Sequence, residues 1–211
     1  MAAPRLPRRP QEDAPGPYYV LMCLTPWFTK SASLGPPPDV DGVESWISGR
    51  YIDVPVPQPL EFEVEIDEDD REPEEPGQLL EMYDYGVVLM TERLVNALRE
   101  AGVDNLQAFD AVIRDPRTNR VVADYKVVNV VGVIAAADMG KSKLYEPPDG
   151  APLIDVSFDS LAIDEKRAGG QLLFRLAESL SAIIVHDRVK QHLLARGFDM
   201  LTFRDPAKYV S

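Results

Sequence analysis

Carboxylates recur at every second position through Glu61, Glu63, Glu65 and Asp67, then crowd together in Glu68, Asp69, Asp70, Glu72, Glu74 and Glu75. Rows of acids hold divalent cations, supply acid–base pairs or meet a basic partner. A calcium loop needs a glycine for the sharp turn between its ligands, and there is none between Asp67 and Glu75. Catalytic carboxylate pairs need unlike environments that split their pKa values, whereas this row is one of equivalents. What remains is a charged surface. Between residues 61 and 84, twelve acids stand against one base, Arg71, and carry −11 of the formal net charge of −13. Such a local field repels nucleic acid and anionic lipid and steers a basic partner inward. A solvated acidic loop that binds nothing is the plainer alternative.

The other reactive side chains assemble no site. Gly140-Lys141-Ser142 resembles the end of a phosphate-binding loop, but that motif needs a glycine where Ala135 stands. His186 and His192 are six residues apart, about 240° around a helix, so they cannot share one metal face. His186 reads as a helix-start residue. Cys23 lies in an apolar run and reads as a buried core thiol. No catalytic residue, cofactor site or metal site follows, and the chain reads as a non-enzyme. An enzyme with an unrecognised site is a further alternative, which turnover lost on changing Cys23, His186 or Asp124 would favour.

With 211 residues, 45% hydrophobic and 27% charged, the chain can bury a real core in one domain. A single cysteine excludes an internal disulfide and fits a reducing compartment. No apolar run reaches the ~18 residues that span a bilayer, and Met1–Pro17 lacks the apolar stretch of a secretory signal. A cytoplasmic protein is expected.

Fourteen of the nineteen prolines fall in residues 1–76, and Met1–Pro17 reads as a Pro-rich disordered tail. Tyr18–Leu24 is a short apolar run and reads as a buried strand. Trp46 and Ile47 can pack on a core. From Pro59 to Asp67, Leu60, Phe62, Val64 and Ile66 alternate with the acids, so one strand face is buried and the other is lined with carboxylates. Like charges on one face repel, and no neighbouring base offsets them. The counter-charge must come from elsewhere in the fold or from a partner.

Met90–Ala101 reads as a helix capped by Thr91, with Leu94, Val95, Leu98 and Ala101 as its stripe and Gly102 as its stop. Ala108–Ile113 and Arg120–Ile134 read as strands joined by a turn over residues 115–119, with Val127–Ile134 buried on both faces. Ile154–Phe158 alternates. Leu172–Leu176 is a strand or a short helix. Val185–Arg196 reads as a second helix ended by Gly197, and Met200–Phe203 as a closing strand. The two helical stretches align without gaps at an offset of 95 residues: Arg93, Leu98, Gly102, Asp104 and Leu106 recur as Arg188, Leu193, Gly197, Asp199 and Leu201. This is either a twice-used α–β unit or convergence on ordinary helix grammar. Both give an α+β fold, with helices packed on a mixed or mostly antiparallel sheet.

Four segments taken in order carry a resemblance: Glu92–Gln107, Asp124–Ser142, Pro152–Asp164 and Leu172–Phe203. Over roughly residues 83–205 the chain resembles bacterial polymorphic-toxin immunity protein family eleven. The division expected is a tail (1–17), N-terminal strands with the acidic strand and loop (18–84), and the immunity-family core (85–211), the last two forming one domain. The resemblance implies a cytosolic, non-catalytic inhibitor that binds a toxin delivered by a sister cell. It transfers no toxin-contact residues. Set beside the charge pattern, it suggests a nuclease whose basic, phosphate-binding groove is occupied by Glu61, Glu63, Glu65, Asp67, Glu68, Asp69, Asp70, Glu72, Glu74 and Glu75. The partner expected is thus a basic toxin protein, with neither nucleic acid nor membrane. The alternative is an adaptor or scaffold for some other basic protein.

Overall fold

The computed structural model describes residues 16–24, 30–66, 77–145 and 156–210. Two five-stranded mixed sheets and a few helices form an α+β fold. In the first sheet, β12 (Leu201–Arg204), β1 (Tyr18–Cys23), β11 (Ser179–His186), β10 (Leu173–Leu176) and β7 (Val133–Ile134) lie in that order. In the second the order is β2 (Leu60–Glu63), β5 (Leu106–Asp115), β6 (Arg120–Val130), β4 (Val88–Thr91) and β3 (Met82–Asp84). The β2–β5 and β7–β10 pairs are parallel; the others are antiparallel. A two-stranded ribbon joins β8 (Lys143–Leu144) to β9 (Phe158–Ser160). The longer helices are α1 (Glu92–Glu100) and α3 (Asp187–Ala195), and α2 (Glu165–Ala168) is one turn.

Alternation along the strands gives three apolar layers. One face of each sheet meets α1 and α3, burying Leu21, Ile183 and Val185 against Met90, Val128, Leu94, Leu98, Val189 and Phe198. The far face of the second sheet buries Phe62, Leu89, Ile113 and Val127 beneath Ala32, Val40 and Trp46. The far face of the first sheet buries Val20, Phe174 and Ile184 beneath Phe158, Leu161 and Tyr209.

The offset of 95 residues is structural. Thr91 and His186 cap α1 and α3, the helices have the same length, and the strands after them open on Leu106 and Leu201. Strand registers also correspond. Leu89 faces Val127 as Ile184 faces Val20, and Leu106 faces Val130 as Leu201 faces Cys23. Met82 faces Met90 as Leu173 faces Val185. One unit is therefore β3-β4-α1-β5-β6. The other is β10-β11-α3-β12 completed by β1, which arrives from the opposite end of the sequence. Arg93 ties them: its guanidinium lies 4.0 Å from the Phe198 ring centroid, and its Nη2 donates to Arg196 O at 2.7 Å and Gly197 O at 3.2 Å. Its counterpart, Arg188, lies beside Gly102.

Several expectations need correction. Met90 and Val185 belong to β4 and β11, not to the helices, which start after their caps. Both residues are apolar and fit either element, and the cap fixes the boundary. Val127–Ile134 is not one strand. At Gly132 the backbone takes φ 105° and the chain crosses to the other sheet, where β7 pairs with β10. Ile66 does not join the buried face of its strand; it is 47% exposed. Leu172–Leu176 resolves as a strand. Of Ile154–Phe158, residues 154–155 lie outside the described residues, and the strand begins at Phe158.

Candidate functional site

β2 forms inside the alternating stretch Pro59–Asp67 but spans only Leu60–Glu63, and Asp67 lies outside the described residues. Leu60, Phe62 and Val64 are buried and Glu61, Glu63 and Glu65 are exposed. The strand lies at an edge of its sheet. On its inner side Val64 N–H donates to Arg114 O at 3.0 Å; on its outer side Gly35 N–H donates to Glu63 O and Glu65 N–H to Ser33 O, both at 2.9 Å. This backbone stitching fixes three carboxylates on one outward face. Among the described residues one counter-charge reaches them: Arg114 Nη2 lies 3.5 Å from Glu61 Oε1. Both partners are exposed, so water screens the pair and it contributes little. Glu63 and Glu65 have no ion-pair partner among the described residues. Asp67, Glu68, Asp69, Asp70, Glu72, Glu74 and Glu75 lie outside the described residues.

Beside this face runs a half-open groove of about 520 Å³, lined by Ser33, Leu34, Pro36, Phe62, Glu65 and Tyr85 among others. Its floor is rigid. Leu80 N–H donates to Tyr83 Oη at 3.0 Å, and Tyr125 Oη donates to Leu80 O at 2.8 Å. Burial pushes the Tyr83 phenol up to about 12 and raises that of Tyr125 as well, so both stay neutral hydrogen-bonding groups. Tyr85 projects from the turn between β3 and β4 and is 86% exposed. It also lines a second cavity, of about 340 Å³, whose lining includes Cys23, Asp84 and Ser181.

Near that second cavity sits a buried charge. Arg175 is fully buried; its Nη1 donates to Leu180 O at 2.6 Å, while Nε and Nη2 have no hydrogen-bond partner among the described residues. Asp84 supplies the opposing charge. Burial pushes its carboxyl up to about 6, and the nearby guanidinium works against that rise. These two residues are 91 positions apart, and nothing in the sequence joins them. Tyr85 was missed for another reason: a tyrosine next to a turn glycine carries no signal of its own.

The remaining reactive side chains have structural work. His186 Nδ1 accepts from Arg188 N–H at 3.1 Å, capping α3, and the ring meets Tyr18 edge-on. His192 lies 3.8 Å from Glu100. Burial raises the Cys23 thiol above its ordinary pKa, the opposite of what a nucleophile needs. Gly140-Lys141-Ser142 forms a turn on Asp138, whose carboxylate accepts from Gly140 N–H at 3.1 Å and lies 3.0 Å from Lys141 Nζ. That ammonium holds the Asp138 carboxyl below its ordinary pKa. No group of three or more His, Cys, Asp or Glu among the described residues could hold a metal ion. No helix among them is long and apolar enough to cross a membrane.

An α+β scaffold that displays an acidic edge, mostly unpaired among the described residues, beside a groove lined in part by tyrosines has the make-up of a protein-binding module. Residues 25–208 match the model of the immunity protein family Imm11, and the chain belongs to that family. The match includes β2, the whole first unit and the second unit except β1. It extends the resemblance seen over 83–205 toward the N-terminus, so the acidic strand lies inside the family domain. Membership implies a toxin-neutralising role exercised by binding a cognate toxin. No curated protein matches the chain.

Proposed function

We propose that this chain neutralises an antibacterial toxin in the cytoplasm by direct, non-catalytic binding, and that the toxin is a basic protein, a nuclease whose phosphate-binding groove receives the acidic surface of residues 61–75. The observation that carries the reading is the row Glu61, Glu63 and Glu65, held on one face with one exposed counter-charge among the described residues. A row of like charges fixed by backbone pairing costs stability when alone, and a basic partner offsets that cost. A nuclease groove has the complementary field. The reading takes residues 18–84 and 85–211 as one domain, because β1, β2 and β3 pair with strands from the later part of the chain.

Purified toxin from the adjacent gene tests it. Wild-type chain is expected to rescue growth of cells expressing that toxin and to co-purify with it. Replacing Glu61, Glu63 and Glu65 together by Gln is expected to slow association about tenfold or more at low salt and to flatten its salt dependence. Unchanged association at low salt would remove the acidic face from the contact.

A further inference from the structure

A row of exposed carboxylates explains attraction but not retention. Rim charges govern the rate of encounter, whereas slow dissociation comes from desolvated anchors, among which tyrosine is over-represented. The groove beside β2 has the parts of such an anchor point. Its lining includes the apolar Leu34, Pro36 and Phe62, the carboxylate-bearing Glu65 and the exposed Tyr85. Tyr85 leaves 86% of its surface in water at a turn fixed by Tyr85 N–H donating to Val87 O at 3.2 Å. Together with Leu80 and Tyr83 it lines both the 520 Å³ groove and the 340 Å³ cavity, so a partner seated on either would meet its ring. One wall is the extended segment that hydrogen-bonds to Glu63 and Glu65, so groove and acidic row are continuous.

We infer that this groove is the retention site of the toxin contact, and that it takes an extended toxin segment in which an apolar side chain adjoins a lysine or arginine. The apolar side chain lies along Leu34 and Pro36 and is covered by Tyr85; the cation meets Glu65. This rests on the reading that the chain binds a basic toxin, and it divides the labour of that contact: β2 sets arrival and the groove sets departure.

Surface-immobilised toxin from the adjacent gene, with wild-type chain and variants flowed over it, separates the two rates. Tyr85→Ala is expected to speed dissociation about 30-fold with association unchanged, and Tyr85→Phe to keep most of the residence time. Ser33→Trp fills the groove from an exposed position and is expected to speed dissociation similarly. If the toxin binds the wild type and both Tyr85→Ala and Ser33→Trp dissociate at the wild-type rate, the groove is not the retention site, while the acidic-face reading stands. If the wild type does not bind the toxin, both fall together.

Discussion

Asp84 and Arg175 place opposite charges inside a largely apolar environment. Folding moves the Asp84 pKa from 3.8 to about 6, so the folded chain holds that proton more tightly than the unfolded chain. Its contribution to stability is whole below pH ~4 and is lost as pH rises through about 6, by at most about 3 kcal/mol, less for the water that reaches it. Comparing urea unfolding of wild type and Asp84→Asn from pH 3.5 to 7.5 isolates this slope, which the variant is expected to lose. Arg175→Met is expected to drive the Asp84 pKa above about 6, since the guanidinium holds it down; a carboxyl NMR titration reads that shift. Arg175→Met leaves the half-buried Asp84 carboxylate without the guanidinium that opposes its charge, so Asp84→Asn with Arg175→Met is expected to be more stable than Arg175→Met alone at pH 7.

The helices were legible because their signals are local. Thr91 and Gly102 bracket one, and His186 and Gly197 the other. The strand of alternating acids was equally plain, because period-two patterning over Leu60–Val64 admits one reading. What escaped was non-local. Gly132 breaks an unbroken apolar run, and sequence alone does not say that the chain changes sheets there. β11 escaped because Ala182–Val185 is an apolar run without alternation. The two glycine stops, alike in sequence, differ in surroundings. Gly197 (φ 72°) has open space where a Cβ would sit, whereas Gly102 (φ 100°) has Leu172 at 3.3 Å. Gly197→Ala is expected to cost about 1 kcal/mol of strain, and Gly102→Ala about 2 kcal/mol or more. Thermal unfolding of the pair measures the difference.

At the scale of the molecule, the two units differ in connectivity: β5 and β6 are joined by a hairpin turn, whereas their counterparts β12 and β1 are not consecutive. A chain opened between Arg117 and Thr118, with a Gly/Ser linker from Val210 to Pro17, exchanges the two situations. It is expected to unfold cooperatively with a midpoint close to that of the wild type, because each pairing register survives in one unit or the other. The register match made the repeat more than helix grammar, and no alignment of the helices alone could have shown that β1 belongs to the second unit. Sequence order then becomes a matter of time. β1 is synthesised before both of its partners, and β12 begins 183 residues after it. At roughly 5–20 residues per second, β1 waits on the order of ten to forty seconds for its sheet. Until β11 and β12 have been made, β1 has neither of its sheet partners, so this sheet closes only after every strand of the first unit is already in place to pair.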